Sequence, residues 1–116
     1  MTSGIRTITY PVKDVAAATA LYRTLLGVDP YVAQPYYVGF RPAEGPEIGL
    51  DPNGHAQGLT GPVTYWHTAD IAAAVAALVA AGAQEEQAVR DVGGGNLTAT
   101  VRDADGNVTG LFQAAA

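Results

Sequence analysis

The chain has 116 residues and a mass of 11.9 kDa, enough for one compact domain, since a chain of this length buries roughly two-thirds of its unfolded surface. With 48% hydrophobic and 15% charged residues it is too apolar to stay disordered, and having no cysteine it has no disulfide, thiolate metal site or cysteine nucleophile. A net charge of -5 without a basic stripe argues against a nucleic-acid partner, and no apolar run approaches a membrane span, so no membrane partner and a cytoplasmic location are expected.

The first strand is predicted over 5–12. Asp14 then caps a helix over 15–26 that Gly27 ends, because an aspartate accepts from the orphan amides of the first turn and glycine takes the left-handed position after the last. Val15, Ala18, Leu21, Tyr22, Leu25 and Leu26 fall on one face of that helix at the helical period and are expected to pack on a sheet. Three short strands follow over 31–34, 36–41 and 47–50, with 42–45 as the last turn. A connector of Gly58, Gly61 and Pro62 leads to a strand over 63–68. Asp70 caps a second helix over 71–81, with Ile71, Val75, Leu78 and Val79 on its apolar face and Gly82 at its end. Strands over 87–92, 96–102 and 107–113 close the chain, the last two joined by an Asp105-Gly106 turn, a strong hairpin signal.

The order strand-helix-strand-strand-strand thus occurs twice, over 5–57 and 62–113, and Asp70 repeats Asp14 after 56 residues. With Val12-Lys13-Asp14 before the first helix, Leu21-Tyr22 and Leu26-Gly27 at its end, and Asp103-Ala104-Asp105-Gly106-Asn107 before the last strand, the chain resembles the glyoxalase / bleomycin-resistance / extradiol-dioxygenase group, the vicinal oxygen chelate superfamily. The resemblance covers nearly the whole chain. It implies a single α+β domain of two βαβββ modules whose curved mixed sheets form a cup, with the helices on the outer faces. It also implies a homodimer.

In enzymes of that family four side chains in the cup hold a divalent metal, one from the first and one from the last strand of each module. Carried onto this chain, the four positions are Thr7, Gly49, Val63 and Gly110. None supplies a strong side-chain ligand, so no metal and no other cofactor is expected.

Strand alternation, with its phase set by those four positions, points Thr7, Thr9, Tyr37, Arg41, Glu47, Gly49 and Asp51 into the cup from the first module. From the second module it points Val63, Tyr65, His67, Thr98, Thr100, Arg102, Gly110 and Phe112 inward. His67 is open to two readings, a ligand-binding or solvated strand residue and, as the runner-up, a catalytic base. Trp66 falls in the core by this phase, and His55 sits at the rim or on loop surface. Two look-alikes carry no site. Gly93-Gly94-Gly95 precedes a strand and not a helix, so it cannot cradle phosphate, and Asp103, Asp105 and Asn107 lack the closing glutamate of a calcium loop.

Aromatic walls and small floor residues suit a large, flat, aromatic and hydrophobic small molecule. Metal-free members of the family bind or sequester such natural products and antibiotics, which is the expected function, with no catalytic residue assigned. The alternative is a metal-independent enzyme acting in natural-product biosynthesis, or a lyase- or dioxygenase-like activity, with His67, Tyr65 or Tyr37 as acid or base.

Overall fold

The computed structural model describes residues 1–116, and its elements follow the expected order. They are β1 (Thr2–Pro11), α1 (Val15–Leu26), β2 (Val32–Gln34), β3 (Tyr37–Phe40), β4 (Glu47–Asp51), β5 (Val63–Thr68), α2 (Ile71–Ala80), β6 (Gln84–Asp91), β7 (Leu97–Arg102) and β8 (Val108–Gln113). A short 3-10 turn, His55–Gln57, stands between β4 and β5. Both helices begin as their sequence dictates. Asp14 accepts from the Ala17 amide at 3.0 Å and Asp70 from the Ala73 amide at 3.1 Å. Gly27 ends α1 in the left-handed region at φ 71°. No helix is long and apolar enough to cross a membrane.

The chain divides into two compact units, Thr7–Val63 and Met1–Arg6 with Thr64–Ala116, so the boundary falls inside β1. In the unit 7–63 the strands run in the order β2-β3-β4-β1. β1 and β4 are parallel and the other pairs antiparallel. One face carries Val38, Phe40 and Leu50, buried against Tyr10, Val12, Val15, Ala18, Tyr22 and Leu26. Phe40 and Leu50 are fully buried, worth about 1.5–3 kcal/mol each relative to exposure. Tyr10 and Tyr22 stack with centroids 5.1 Å apart, and burial first, then Tyr10, pushes the Tyr22 phenol above its ordinary value.

Leu21 and Leu25 depart from expectation. They are 59% and 70% exposed, because each lies one residue, or 100° of helix, aside from the Tyr22 and Leu26 stripe that meets the sheet.

In the other unit β5, β8, β7 and β6 lie in that order. β5 and β8 are parallel and the other pairs antiparallel, and the start of β1 lies along β5, where the Thr2 hydroxyl donates to the His67 carbonyl at 2.7 Å. The core of Ile71, Ala74, Val75, Ala99, Val101 and Leu111 sits between α2 and the sheet. Trp66 packs against it, as the strand phase requires. β6 begins at Gln84, earlier than expected. It pairs on one side only and is mostly exposed, so Gln84-Glu85-Glu86-Gln87 enters a strand with no apolar alternation to announce it. Two register shifts interrupt its pairing with β7.

Candidate functional site: two aromatic faces over glycine floors

In the unit 7–63 the face turned away from α1 is built on a row of small residues. Thr9 pairs with Gly49, and Gly49 with Gly39. The missing side chains leave a hollow, and the Tyr37 ring fills it. A Cβ built on Gly49 would stand 2.7 Å from Tyr37 Cε1 and 2.8 Å from its Cζ, closer than real Cβ contacts come. From there the Tyr37 hydroxyl donates to Glu47 Oε2 at 2.6 Å, while Tyr31 donates to Oε1 at 2.6 Å.

Glu47, paired with Thr7 across β1, has only 7% of its side chain exposed. A buried carboxylate is costly unless hydrogen-bonded, and here each oxygen receives a phenol. Arg41 lies with its guanidinium 3.8 Å from the Tyr31 centroid and its Nε 3.9 Å from Glu47 Oε1, a cation-π contact joined to an ion pair.

The structure therefore brings Thr7, Thr9, Tyr37, Arg41, Glu47 and Gly49 together and adds Tyr31, which strand alternation had not singled out. The one signal for it was the hairpin over 31–41, whose register pairs Val32 with Gly39, so that Tyr31, just before β2, donates its amide to the Gly39 carbonyl at 3.0 Å. Asp51 stands at the end of the row, where its carboxylate accepts from the Asn53 amide at 2.8 Å and shapes the turn after β4. His55 is exposed in the 3-10 turn, and Val63 is buried at 2%.

In the other unit two rows cross the sheet on the face away from α2. One holds His67, Phe112 and Thr98; the next holds Tyr65, Gly110 and Thr100. Tyr65 repeats the device of Tyr37. Its ring lies on Gly110 so closely that an added Cβ would stand 2.7 Å from its Cγ. The His67 imidazole meets Phe112 edge-on at 5.9 Å and makes no hydrogen bond within the protein, so both nitrogens are open to a ligand. The Arg6 guanidinium sits 4.7 Å from the Phe112 centroid.

His67 also lines a depression of about 380 Å³ with Ser3, Thr68 and Gln113. Gln113 is already used there, accepting from the Ile71 amide at 2.8 Å at the start of α2. Arg102 is held elsewhere. It binds Glu86 through two hydrogen bonds of 2.9 and 3.0 Å and donates to the Gly106 carbonyl at 2.9 Å, clamping β6 and the last turn. Asp103 takes the Asp105 and Asn107 amides and the Asn107 side chain, so the calcium look-alike is a self-contained turn.

The residues at Thr7, Gly49, Val63 and Gly110 do not fit a divalent ion. A hydroxyl, a buried valine and two glycines under tyrosine rings offer no imidazole or carboxylate, and no group of three or more histidine or acidic residues is arranged so that it could hold a metal ion.

Two βαβββ modules, each with a helix on one sheet face and polar and aromatic groups on the other, define an α+β paired-module protein. The sequence model of the Glyoxalase/Bleomycin resistance protein/Dioxygenase superfamily matches residues 4–111, and the chain belongs to that superfamily. No curated protein matches it by sequence. Among solved structures it is similar to a Streptomyces coelicolor methylmalonyl-CoA epimerase variant in complex with 2-nitronate-propionyl-CoA, at 17% identity over 100% of both chains with a TM-score of 0.75. The Mycobacterium tuberculosis methylmalonyl-CoA epimerase is 18% identical, covering 99% of this chain and 90% of that one with a TM-score of 0.72. A superfamily member from Vibrio splendidus is 15% identical, covering 95% and 99% with a TM-score of 0.71. At such identities the likeness establishes the fold.

Proposed function

We propose that the protein binds a planar, largely apolar aromatic small molecule, a natural product or antibiotic, without a resident metal ion, and that it acts by holding or sequestering it. The observation that carries this is the pair of glycine floors. At Gly49 and Gly110, where the family's enzymes place metal ligands, this chain sets tyrosine rings flat on the sheet, and an exposed ring face is a stacking surface. Tyr37, Tyr65 and Phe112 supply the contact area, His67 a hydrogen bond, and Thr9 a small polar wall. Native mass spectrometry of the purified protein tests this through carried ligand, and the same spectrum reports metal content and the homodimer implied by the family. Polycyclic aromatic antibiotics should raise the melting temperature, and a panel in which only small polar acids do so would overturn the proposal.

One observation favours the alternative, a metal-independent enzyme of this fold acting in natural-product biosynthesis. Glu47 and its two phenols form a hydrogen-bonded acid-base group of the kind that proton transfer uses. Recovering the ligand chemically altered after incubation with wild type, and unaltered with Glu47→Gln, would replace binding by catalysis.

A further inference from the structure

The Thr100 hydroxyl is the one buried side-chain oxygen or nitrogen in the chain without a hydrogen-bond partner. Thr100 is 4% exposed, and a hydroxyl shut from water with nothing to bond is a standing cost that native structures rarely tolerate without a use. Its place explains what the use is. Thr100 pairs directly with Gly110, and same-face side chains of such a pair lie about 5 Å apart. Gly110 has no side chain, so the space beside the hydroxyl belongs to the Tyr65 ring, which lies on the glycine. The ring places flat carbon against the floor and leaves Thr100 unanswered.

We infer that the Tyr65 ring is a stand-in, and that Gly110, Thr100 and the volume it fills form a subsite for one planar ring bearing a hydroxyl or carbonyl group. On binding, Tyr65 turns off the glycine and stacks over the ligand ring that takes its place, and the polar substituent bonds the Thr100 hydroxyl, which can donate or accept. Glycine at 110 is required because any side chain there would occupy the ring's slot. The subsite rests on the proposed aromatic-binding role and names the polar group that such a ligand carries.

The probes are phenol and toluene, which differ in one hydroxyl. Wild type should bind phenol more tightly than toluene, with the phenol titration shifting the fluorine resonance of Tyr65 in protein made with 3-fluorotyrosine. Thr100→Val should erase the preference, a loss of about 2- to 12-fold for one hydrogen bond. The same substitution should raise the melting temperature by about 3 °C, because it removes an unsatisfied hydroxyl where an ordinary bonded threonine would lose stability. Tyr65→Ala, which empties the slot, should still bind phenol more tightly than toluene. A lowered melting temperature in Thr100→Val, or equal affinity for phenol and toluene in both wild type and Tyr65→Ala, would overturn the subsite. A polycyclic aromatic held equally by wild type and Thr100→Val would sink the subsite alone and leave the broader binding role. Phenol preferred by Tyr65→Ala, with no polycyclic bound by wild type, would do the reverse.

Discussion

The Tyr37 ring lies on Gly49 with its hydroxyl on Glu47, so one glycine, two residues along the same strand from a buried carboxylate, decides how that carboxylate is satisfied. A methyl group at 49 would overlap the ring and push the hydroxyl off the carboxylate. Gly49→Ala is therefore expected to lower stability by about 1–3 kcal/mol, the range for overpacking, even though alanine suits a strand better than glycine does. Urea unfolding measures it, and a Gly49→Ala, Tyr37→Ala double substitution should cost less than the two single ones combined. Full additivity would mean that the ring and the glycine are independent.

Removing one phenol from Glu47 leaves a buried carboxylate oxygen short of a donor. Tyr31→Phe and Tyr37→Phe are each expected to cost about 1–3 kcal/mol. Tyr31→Phe keeps the ring under Arg41, so its loss reports the hydroxyl alone. Equal stability of Tyr31→Phe and wild type would show that Glu47 does not depend on that bond.

Two exposed carboxylates give stability a defined dependence on acid. The hydrogen bond from Arg102, ahead of its charge, holds Glu86 below the usual carboxylate range. The bonds from Asn107 do the same for Asp103. For groups with a lowered folded pKa, the stabilising contribution is present above the unfolded values of roughly 4.3 and 3.9 and is lost as pH falls through the folded ones. Melting temperatures should therefore decline below about pH 4, with a shallower decline in Glu86→Gln. Because both carboxylates are solvent-exposed, the effect should also shrink in high salt.

Retained metal is a direct check on the donor set. With Thr7, Gly49, Val63 and Gly110 at the positions the family's enzymes use, dialysed protein is expected to hold far less than one zinc, nickel, iron or manganese per chain. Elemental analysis decides it, and about one ion per chain surviving dialysis would place a metal on donors other than these four.

His67 has an imidazole with no partner of its own and an aromatic neighbour in Phe112. His67→Ala is expected to weaken aromatic-ligand affinity by roughly 2- to 12-fold, the value of one hydrogen bond. Calorimetric titration measures it. An unchanged affinity with abolished conversion of the ligand would make His67 a catalytic residue.

The repeat of capping aspartate, amphipathic helix, helix-ending glycine and three strands was legible because those signals are local. Asp14 and Asp70 accept from the first turns they were expected to cap, and Trp66 faces the helix as a period of two requires. The same period placed Tyr37, Glu47, Tyr65, His67 and Phe112 on faces turned away from the helices, since alternation needs only a phase. What local signals could not carry was pairing between distant residues. Nothing near Tyr31 in sequence announces a bond to Glu47, sixteen residues on, and nothing near Thr100 shows that its hydroxyl lies unpartnered across from a glycine. Arg102 reads as a ligand contact by alternation, yet in the fold it clamps Glu86, because the register of an exposed, irregular edge strand is set by pairing rather than by pattern. Leu21 and Leu25 satisfy helical amphipathicity and remain exposed, since the sheet meets only one stripe of α1. Sequence fixes which residues share a face; tertiary packing alone decides which of them touch, because contact depends on register and on the space that glycines leave open.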